Sequence, residues 1–414
     1  MRSYLTNLEC TYCGETFSAD EPMRLCDKCG KVLYPRYDIS TASKNFTKDL
    51  LRDRAPNMWR YFEMMPIREE SNIVTLGEGF TPIFETKALG AKIGSNALFL
   101  KDEGLIPTAS FKARGLSAAV SKAKELGLKK LTMPSAGNAA GAMASYAARA
   151  GLEAFVFMPQ DAPEANQKEV IVSGGNLNLI DGLISDAGII SRGKAAEMDL
   201  FDVSTLQEPY RVEGKKTMGY EIAEQLGWRT PDNVIVPVAG SSLITKIWKA
   251  FHEFEMLGLV DKVKSKIFAA QATGCCPVTT AIKNGSENIV PVKPNTIAKS
   301  IAIGNPADGY YGIKTANTSG GYGEDVADKE VIESMKLLAE TEGIFTETAG
   351  GVTVGVTKKL VEQGRIKPDE TTVICITGNG LKTQEALADC FEAPVVIEPK
   401  VNSFEEVFEN SLTV

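Results

Sequence analysis

From about residue 97 onward, short apolar runs alternate with longer stretches whose apolar residues recur three and four positions apart. The runs KKLTMPS, EAFVFMPQ, NLNLIDG, NVIVPVAG, KIFAAQATG and TTVICITGNG have the length of buried strands and are bounded by turn residues. The stretches SFKARGLSAAVSKAKELG, NAAGAMASYAARAG, TMGYEIAEQLG, SLITKIWKAFHEFEMLG and KEVIESMKLLAETEG carry the spacing of helices with one buried face. Strands followed by helices at this interval predict βαβ units and two open, mainly parallel sheets, an α/β fold. Residues 1–45 stand apart as a cysteine-bearing module. WRYFEMMPI then leads into IVTLGEGFTPIFET, a short extended segment with Gly and Pro turns. The expected division is 1–45 for the module, 46–124 for the first part of a large domain, 125–220 for a smaller α/β domain and 221–414 for the rest of the large one.

At 414 residues the chain is too long for one core. No run approaches 18 apolar residues, and MRSYLTNLEC lacks the apolar stretch of a signal peptide, so a cytoplasmic protein without membrane partners is expected. The net charge of −8 argues against a broad nucleic-acid surface. The one histidine, His252 in KAFHEFEML, reads as a helix residue, which leaves a histidine-based triad without support.

Cys10, Cys13, Cys26 and Cys29 form CTYC and CDKC with twelve residues between them. Two such pairs read as two knuckles closing on one metal, and four thiolates favour a structural zinc with no open position. Cys275, Cys276, Cys375 and Cys390 are scattered and read as small core residues.

Ligands in open parallel sheets bind beyond the C-terminal strand ends. Four loops there carry candidate chemistry. In PTASFKARG, Ser110 is placed to cap a helix whose first turn holds Lys112. A cation at that end opposes the macrodipole, so Lys112 reads either as a solvated charge or as an amine with a lowered pKa. In PSAGNAAGA, Ser135, Ala136 and Gly137 offer amides to a carboxylate, and Asn138 offers an amide to a ring hydroxyl. In VPVAGSSLITK, residues Ala239, Gly240, Ser241, Ser242 and Leu243 form a plausible phosphate cradle without the ending of a P-loop. In CITGNGLK, Thr377 ends a strand and its hydroxyl can bond a ring nitrogen.

Taken in order, LGEGFTP, KDEGLIPTASFKARG, PSAGNAAGAMASYAARAG, VEGKKTMGYEIAEQLGW, VPVAGSSLITKIWKAF, EGIFTETAG and ITGNGLK resemble the threonine synthase branch of the fold-type II pyridoxal 5'-phosphate (PLP) enzymes, a tryptophan synthase beta-like fold. The resemblance implies that Lys112 carries the cofactor covalently, that Asn138 meets its phenolic oxygen, that Thr377 meets its pyridine nitrogen and that residues 239–243 hold its phosphate. It also implies a homo-oligomer. The chain departs from that branch in reading AGSSL where a glycine run is usual: Leu243 and Lys246 replace glycines, Ala113 stands where Asp is frequent, and Ala136 where Ser or Thr is. Within the branch the chain is most similar to the cysteate synthases. That likeness implies O-phospho-L-serine and sulfite as substrates, L-cysteate and phosphate as products, and a place in coenzyme M formation. Threonine synthesis from O-phospho-L-homoserine and water is the alternative, and a metal-ribbon binding module with an inactive body the lower one. A second anion site is then needed, for which Lys246, Lys299 and Arg114 qualify by charge.

Overall fold

The computed structural model describes residues 2–195, 197–388, 390 and 394–400, so the outer ends of the 1–45 and 221–414 ranges fall outside the described residues. Its strands are β1 (Leu5–Cys10), β2 (Thr16–Phe17), β3 (Leu33–Tyr37), β4 (Ile83–Glu85), β5 (Leu98–Asp102), β6 (Lys130–Pro134), β7 (Glu153–Pro159), β8 (Asn176–Ile180), β9 (Phe201–Asp202), β10 (Asn233–Pro237), β11 (Lys266–Ala272), β12 (Gly323–Val326) and β13 (Thr372–Ile376). They form an antiparallel sheet β2-β1-β3, a six-stranded sheet β12-β11-β10-β13-β5-β4 and a four-stranded sheet β8-β7-β6-β9. The last is parallel throughout, and the six-stranded one is parallel apart from β4.

Strand composition explains the layers. β10 and β13 are buried at every position and pair as Val234↔Val373 and Ile235↔Ile374. Strands apolar on both faces need helices on both sides, and separate apolar clusters lie against the large sheet. The edge strand β8 is mostly exposed, and its asparagines suit that position. The cysteine-bearing sheet is not an appendage. Leu5, Leu8 and Leu33 share one core with Leu116, Val120, Met133 and Tyr146 of the smaller sheet's layers. Among the described residues, no helix is long and apolar enough to cross a membrane.

Chain order places the site. The chain leaves the large sheet after β5, builds β6 to β9, and returns at β10. The helices Lys112–Glu125 and Tyr210–Lys215 pack together at the two ends of that excursion. Their contact is backbone against backbone. A Cβ on Gly214 would lie 2.0 Å from the Arg114 carbonyl oxygen, and one on Gly115 would lie 2.9 Å from that of Arg211. Only glycine permits this approach.

Beneath the contact lies a sealed charge network. Arg114 donates to Glu103 (2.6 Å) and Glu221 (2.5 Å), and Lys101 donates to Glu221 (2.8 Å), all four side chains being fully buried. Against its burial, Arg114 and Lys101 hold the Glu221 carboxyl down, at about 2. Breaking such a pair strands a charge, whereas the intact pair adds little net stability. Arg114→Leu should therefore destabilise the fold by about 3–5 kcal/mol in urea unfolding; a loss below about 1 kcal/mol would show that Glu103 and Glu221 find other partners or protonate.

Candidate active site

The loop that follows β5 is strained. Thr108 and Ala109 have φ of 61° and 53°, left-handed conformations that each cost about 1–3 kcal/mol for such residues. Neighbouring backbone holds them there: Phe111 N–H donates to Thr377 O (3.0 Å), and Asn379 N–H donates to Ala109 O (2.9 Å). Lys112 is the first residue of the helix Lys112–Glu125, and its Nζ lies 3.8 Å from the Phe111 ring centroid. Burial pushes the amine down to about 8; the Glu347 carboxylate opposes this shift and the Arg211 guanidinium adds to it. The expected Ser110 cap is not formed. Ser110 is drawn into an isolated bridge with Gly378, Phe111 takes the cap position, and the buried Ser110 hydroxyl has no hydrogen-bond partner.

Asn138 and Thr377 come from different sheets and meet at one carboxylate. Asn138 opens the helix Asn138–Ala150 after β6, and Thr377 follows β13. Asn138 Nδ2 donates to Glu347 (2.9 Å), and Thr377 Oγ1 donates to its other oxygen (3.2 Å). Ser135, Ala136 and Gly137 lead into the Asn138 helix and stay partly exposed. A Cβ on Gly137 would meet nothing within 4 Å, so this loop borders open space.

The loop after β10 also ends in a strained residue. Ser241, at φ 71°, precedes the helix Ser242–Met256, and its buried hydroxyl is unpartnered. Ala239 and Gly240 are partly exposed, while Ser242 and Leu243 are buried. Asp308 faces Gly240, where a Cβ would lie 2.7 Å from Oδ1. Burial raises the Asp308 carboxyl to about 7, against the pull of Lys215. Lys215 Nζ donates to Ser242 Oγ at 2.6 Å.

Two of the three cations expected to be free for a second anion are already engaged. Arg114 belongs to the sealed network with Glu103 and Glu221. Lys246 is buried, 2.7 Å from Glu213 and 3.6 Å from the Tyr34 ring centroid. Both exchange hydration for internal carboxylates and have no face open to a ligand. Lys299 is exposed on a turn against the helix Thr348–Glu362. The charged residues that do adjoin Lys112 are Arg211, Lys215 and Glu347. They lie within VEGKKTMGYEIAEQLGW, just before it, and in EGIFTETAG. The charge density of YRVEGKK beside apolar neighbours is the signal that marks the first two.

In the cysteine module the four sulfurs lie within 4.8 Å of one another. Cys10 and Cys29 are 3.4 Å apart, Cys13 and Cys26 3.6 Å, and Cys13 and Cys29 3.7 Å. Tetrahedral thiolates at about 2.3 Å from a zinc would stand about 3.8 Å from each other, so this set could hold such an ion. Both knuckles close alike: Gly14 N–H donates to Cys10 O, and Gly30 N–H to Cys26 O.

Residues 74–378 match the family described as pyridoxal-phosphate dependent enzyme. The chain is 37% identical to a threonine synthase of Methanocaldococcus jannaschii and 36% identical to one of Methanosarcina acetivorans, each over 97% of this chain and 98% of that protein. Among solved structures it resembles the processed form of threonine deaminase isoform 2 from Solanum lycopersicum, with a TM-score of 0.63 and 22% identity, over 75% of this chain and 88% of that one. It also resembles maize serine racemase, with a TM-score of 0.61 and 20% identity, over 80% of this chain and 92% of that one. The chain belongs to the pyridoxal-phosphate dependent enzymes of fold type II. Within them its place is the threonine synthase branch.

The residues present fit PLP. Lys112 has an amine with a lowered pKa that would suit the aldehyde. The Ser110, Ser241 and Thr348 hydroxyls are buried without partners, and the Ser242 helix start offers backbone N–H groups to a phosphate. Since only a neutral amine attacks an aldehyde, borohydride-trapped adduct at Lys112 in the cofactor-free protein should increase up to a pH of about 8 and then level off. Peptide mass spectrometry reads this directly; a rise continuing to about 10.4, the ordinary lysine value, would contradict it.

Proposed function

We propose that the enzyme replaces the phosphate of O-phospho-L-serine with sulfite, giving L-cysteate and phosphate, as a cysteate synthase supplying coenzyme M formation. The carrying observation is the pair of buried basic side chains beside Lys112, Arg211 and Lys215. Arg211 and Lys215 are 2% and 1% exposed, and neither has an ion pair within 4 Å among the described residues. A site that admits a substrate phosphate and an anionic nucleophile needs more unpaired cation than one whose second reactant is water.

PLP supplies an electron sink at the substrate's α-carbon. In this reading Lys112 carries the cofactor, then removes the Cα proton and returns it. Phosphate leaves with the Cβ–O bonding pair, and the sulfur lone pair of sulfite forms the new Cβ–S bond. Asn138 and Thr377 would hold the ring by its phenolic oxygen and nitrogen, Thr377 through a neutral hydroxyl. Ala239, Gly240, Ser241, Ser242 and Leu243 hold the cofactor phosphate. Ser135, Ala136 and Gly137 receive the substrate carboxylate at a helix start. The division into residues 46–124 with 221–414, and 125–220, is the one we adopt for the two cofactor-binding domains, with zinc in the 1–45 module.

A second reading is threonine synthase, acting on O-phospho-L-homoserine and water. The two methanogen relatives favour it, and likeness over the whole chain speaks for it more strongly than for the first. The buried basic pair without carboxylate partners speaks for the first. Supplying the purified enzyme with both phospho-amino acids, with and without sulfite, decides between them. Cysteate with equimolar phosphate is expected, and Lys112→Ala should abolish it by at least 1000-fold; threonine formation with no cysteate would overturn the reading. For the module, Cys10→Ser should release bound zinc and lower the thermal midpoint by several degrees, measured by metal analysis and calorimetry. An unchanged midpoint would remove the structural role.

A further inference from the structure

Among the described residues, five lysines are at most 1% exposed: Lys101, Lys122, Lys215, Lys216 and Lys246. Four of them meet a carboxylate within 2.9 Å: Lys101 meets Glu221, Lys122 meets Glu125, and Lys216 and Lys246 meet Glu213. Lys215 has no carboxylate within 4 Å among the described residues, and its hydrogen bond goes to the neutral Ser242 hydroxyl. Burial, with the Arg211 and Lys112 charges beside it, pushes the Lys215 amine well below the ordinary lysine value, so an anion arriving next to it would draw it back to its charged form.

Its position says where that anion docks. The Gly115–Gly214 contact seats Lys215, whose Cε lies 3.4 Å from the place of a Gly115 Cβ. Lys112 and Lys215 share the Phe111 ring, at 3.8 Å and 5.7 Å from its centroid. Lys215 therefore stands between the reactive amine and the start of the Ser242–Met256 helix. Arg211 is four residues earlier on the same helix face, and its buried Nε is unpartnered. The carboxyls acting on Lys215 are Asp308 and Glu208, and both lie outside ion-pair distance. Burial raises each to about 7, so neither compensates Lys215 as a close ion pair would.

We infer that Lys215 is the specificity residue for the second substrate, binding the entering oxyanion beside Lys112 so that its lone pair faces the β-carbon. The inference rests on the sulfite reading above. The source of the oxyanion is the free nucleophile rather than the cofactor's own phosphate, and the test separates the two.

The probe is inorganic sulfite titrated calorimetrically into the holoenzyme and into its Lys215→Gln, Lys215→Met and Lys215→Arg variants. Saturable binding is expected for the wild type, with at least tenfold weakening in the Gln and Met variants and recovery to within threefold in Arg. Cofactor content and the visible spectrum should stay unchanged, and O-phospho-L-serine affinity, read from that spectrum, should move less than threefold. Equal sulfite binding in all four proteins overturns the inference. So does loss of cofactor with sulfite binding retained, which would make Lys215 a ligand of the cofactor phosphate. Removing a buried amine that has no carboxylate partner should raise the thermal midpoint of the Met variant; failure of both Gln and Met variants to fold would mark Lys215 as structural and also overturn it. If the wild type makes threonine and no cysteate, the substrate reading fails by that assay. The calorimetric comparison still reports on Lys215 alone.

Discussion

The site depends on loops that hydrogen-bond to one another beyond the ends of the strands. Phe111 and Asn379 exchange backbone bonds with Thr377 and Ala109, while Glu347 N–H donates to Gly378 O (3.1 Å) and Gly380 N–H to Phe345 O (3.0 Å). The loops after β5 and β13 and the one before the helix Thr348–Glu362 thus continue the pairing logic of the sheet after the sheet has stopped. This lacing lets Thr108 and Ala109 remain left-handed, because relaxing either would break bonds that buried backbone cannot replace. It also excludes a side chain at Gly378, where a Cβ would stand 2.7 Å from the Glu347 carboxylate. Lys112, Thr377 and Glu347 are consequently one rigid unit. Asn138 reaches that unit from the other sheet through a side chain.

A second constraint orders charge around this unit. The Gly115–Gly214 contact draws the helix Tyr210–Lys215 against the helix that begins with Lys112, so consecutive residues of the former face different environments. Glu213 points to the cysteine module, meeting Lys216, Lys246, Lys249 and the Tyr37 hydroxyl. Arg211 and Lys215 point to the Lys112 amine. The module's β3 is thus tied, through Glu213, to the helix that carries the loop after β10. That coupling gives the cysteine module a mechanical reason to sit beside an α/β body.

Much of the architecture was legible because the strands obey one rule. NVIVP and TVICI are continuous apolar runs, and such runs occur where both faces are covered. The four cysteines were equally plain, since two short loops of fixed spacing leave thiols few ways to point. What escaped was the short or compositionally ambiguous material. β4, β9 and β12 have three, two and four residues, too few to show a period. TAGGVTVGVTKKLVE reads by propensity as extended, yet it is a helix buried along most of its length because the large sheet needs a layer there. Around the site, the residue types at 112, 138 and 377 could be singled out from their loops. The partners of Arg114 and Lys246 could not, because Glu103, Glu221 and Glu213 reach them from other elements.

Lys215 and Lys216 show the limit of sequence in its sharpest form. They are adjacent and identical, both are buried, and both lie in the same short helical region. About 100° of helical rotation separates their directions. That rotation delivers Lys216 to Glu213 and Glu253 at 2.9 and 3.0 Å, where its charge is spent inside the fold. The same rotation leaves Lys215 with a hydroxyl. Burial without a carboxylate partner pushes the Lys215 amine well below its ordinary value, and shifts of that kind cluster where a group meets a ligand. The difference between a structural lysine and a functional one is here a matter of which carboxylates other elements bring, a property of the assembled fold and not of the dipeptide.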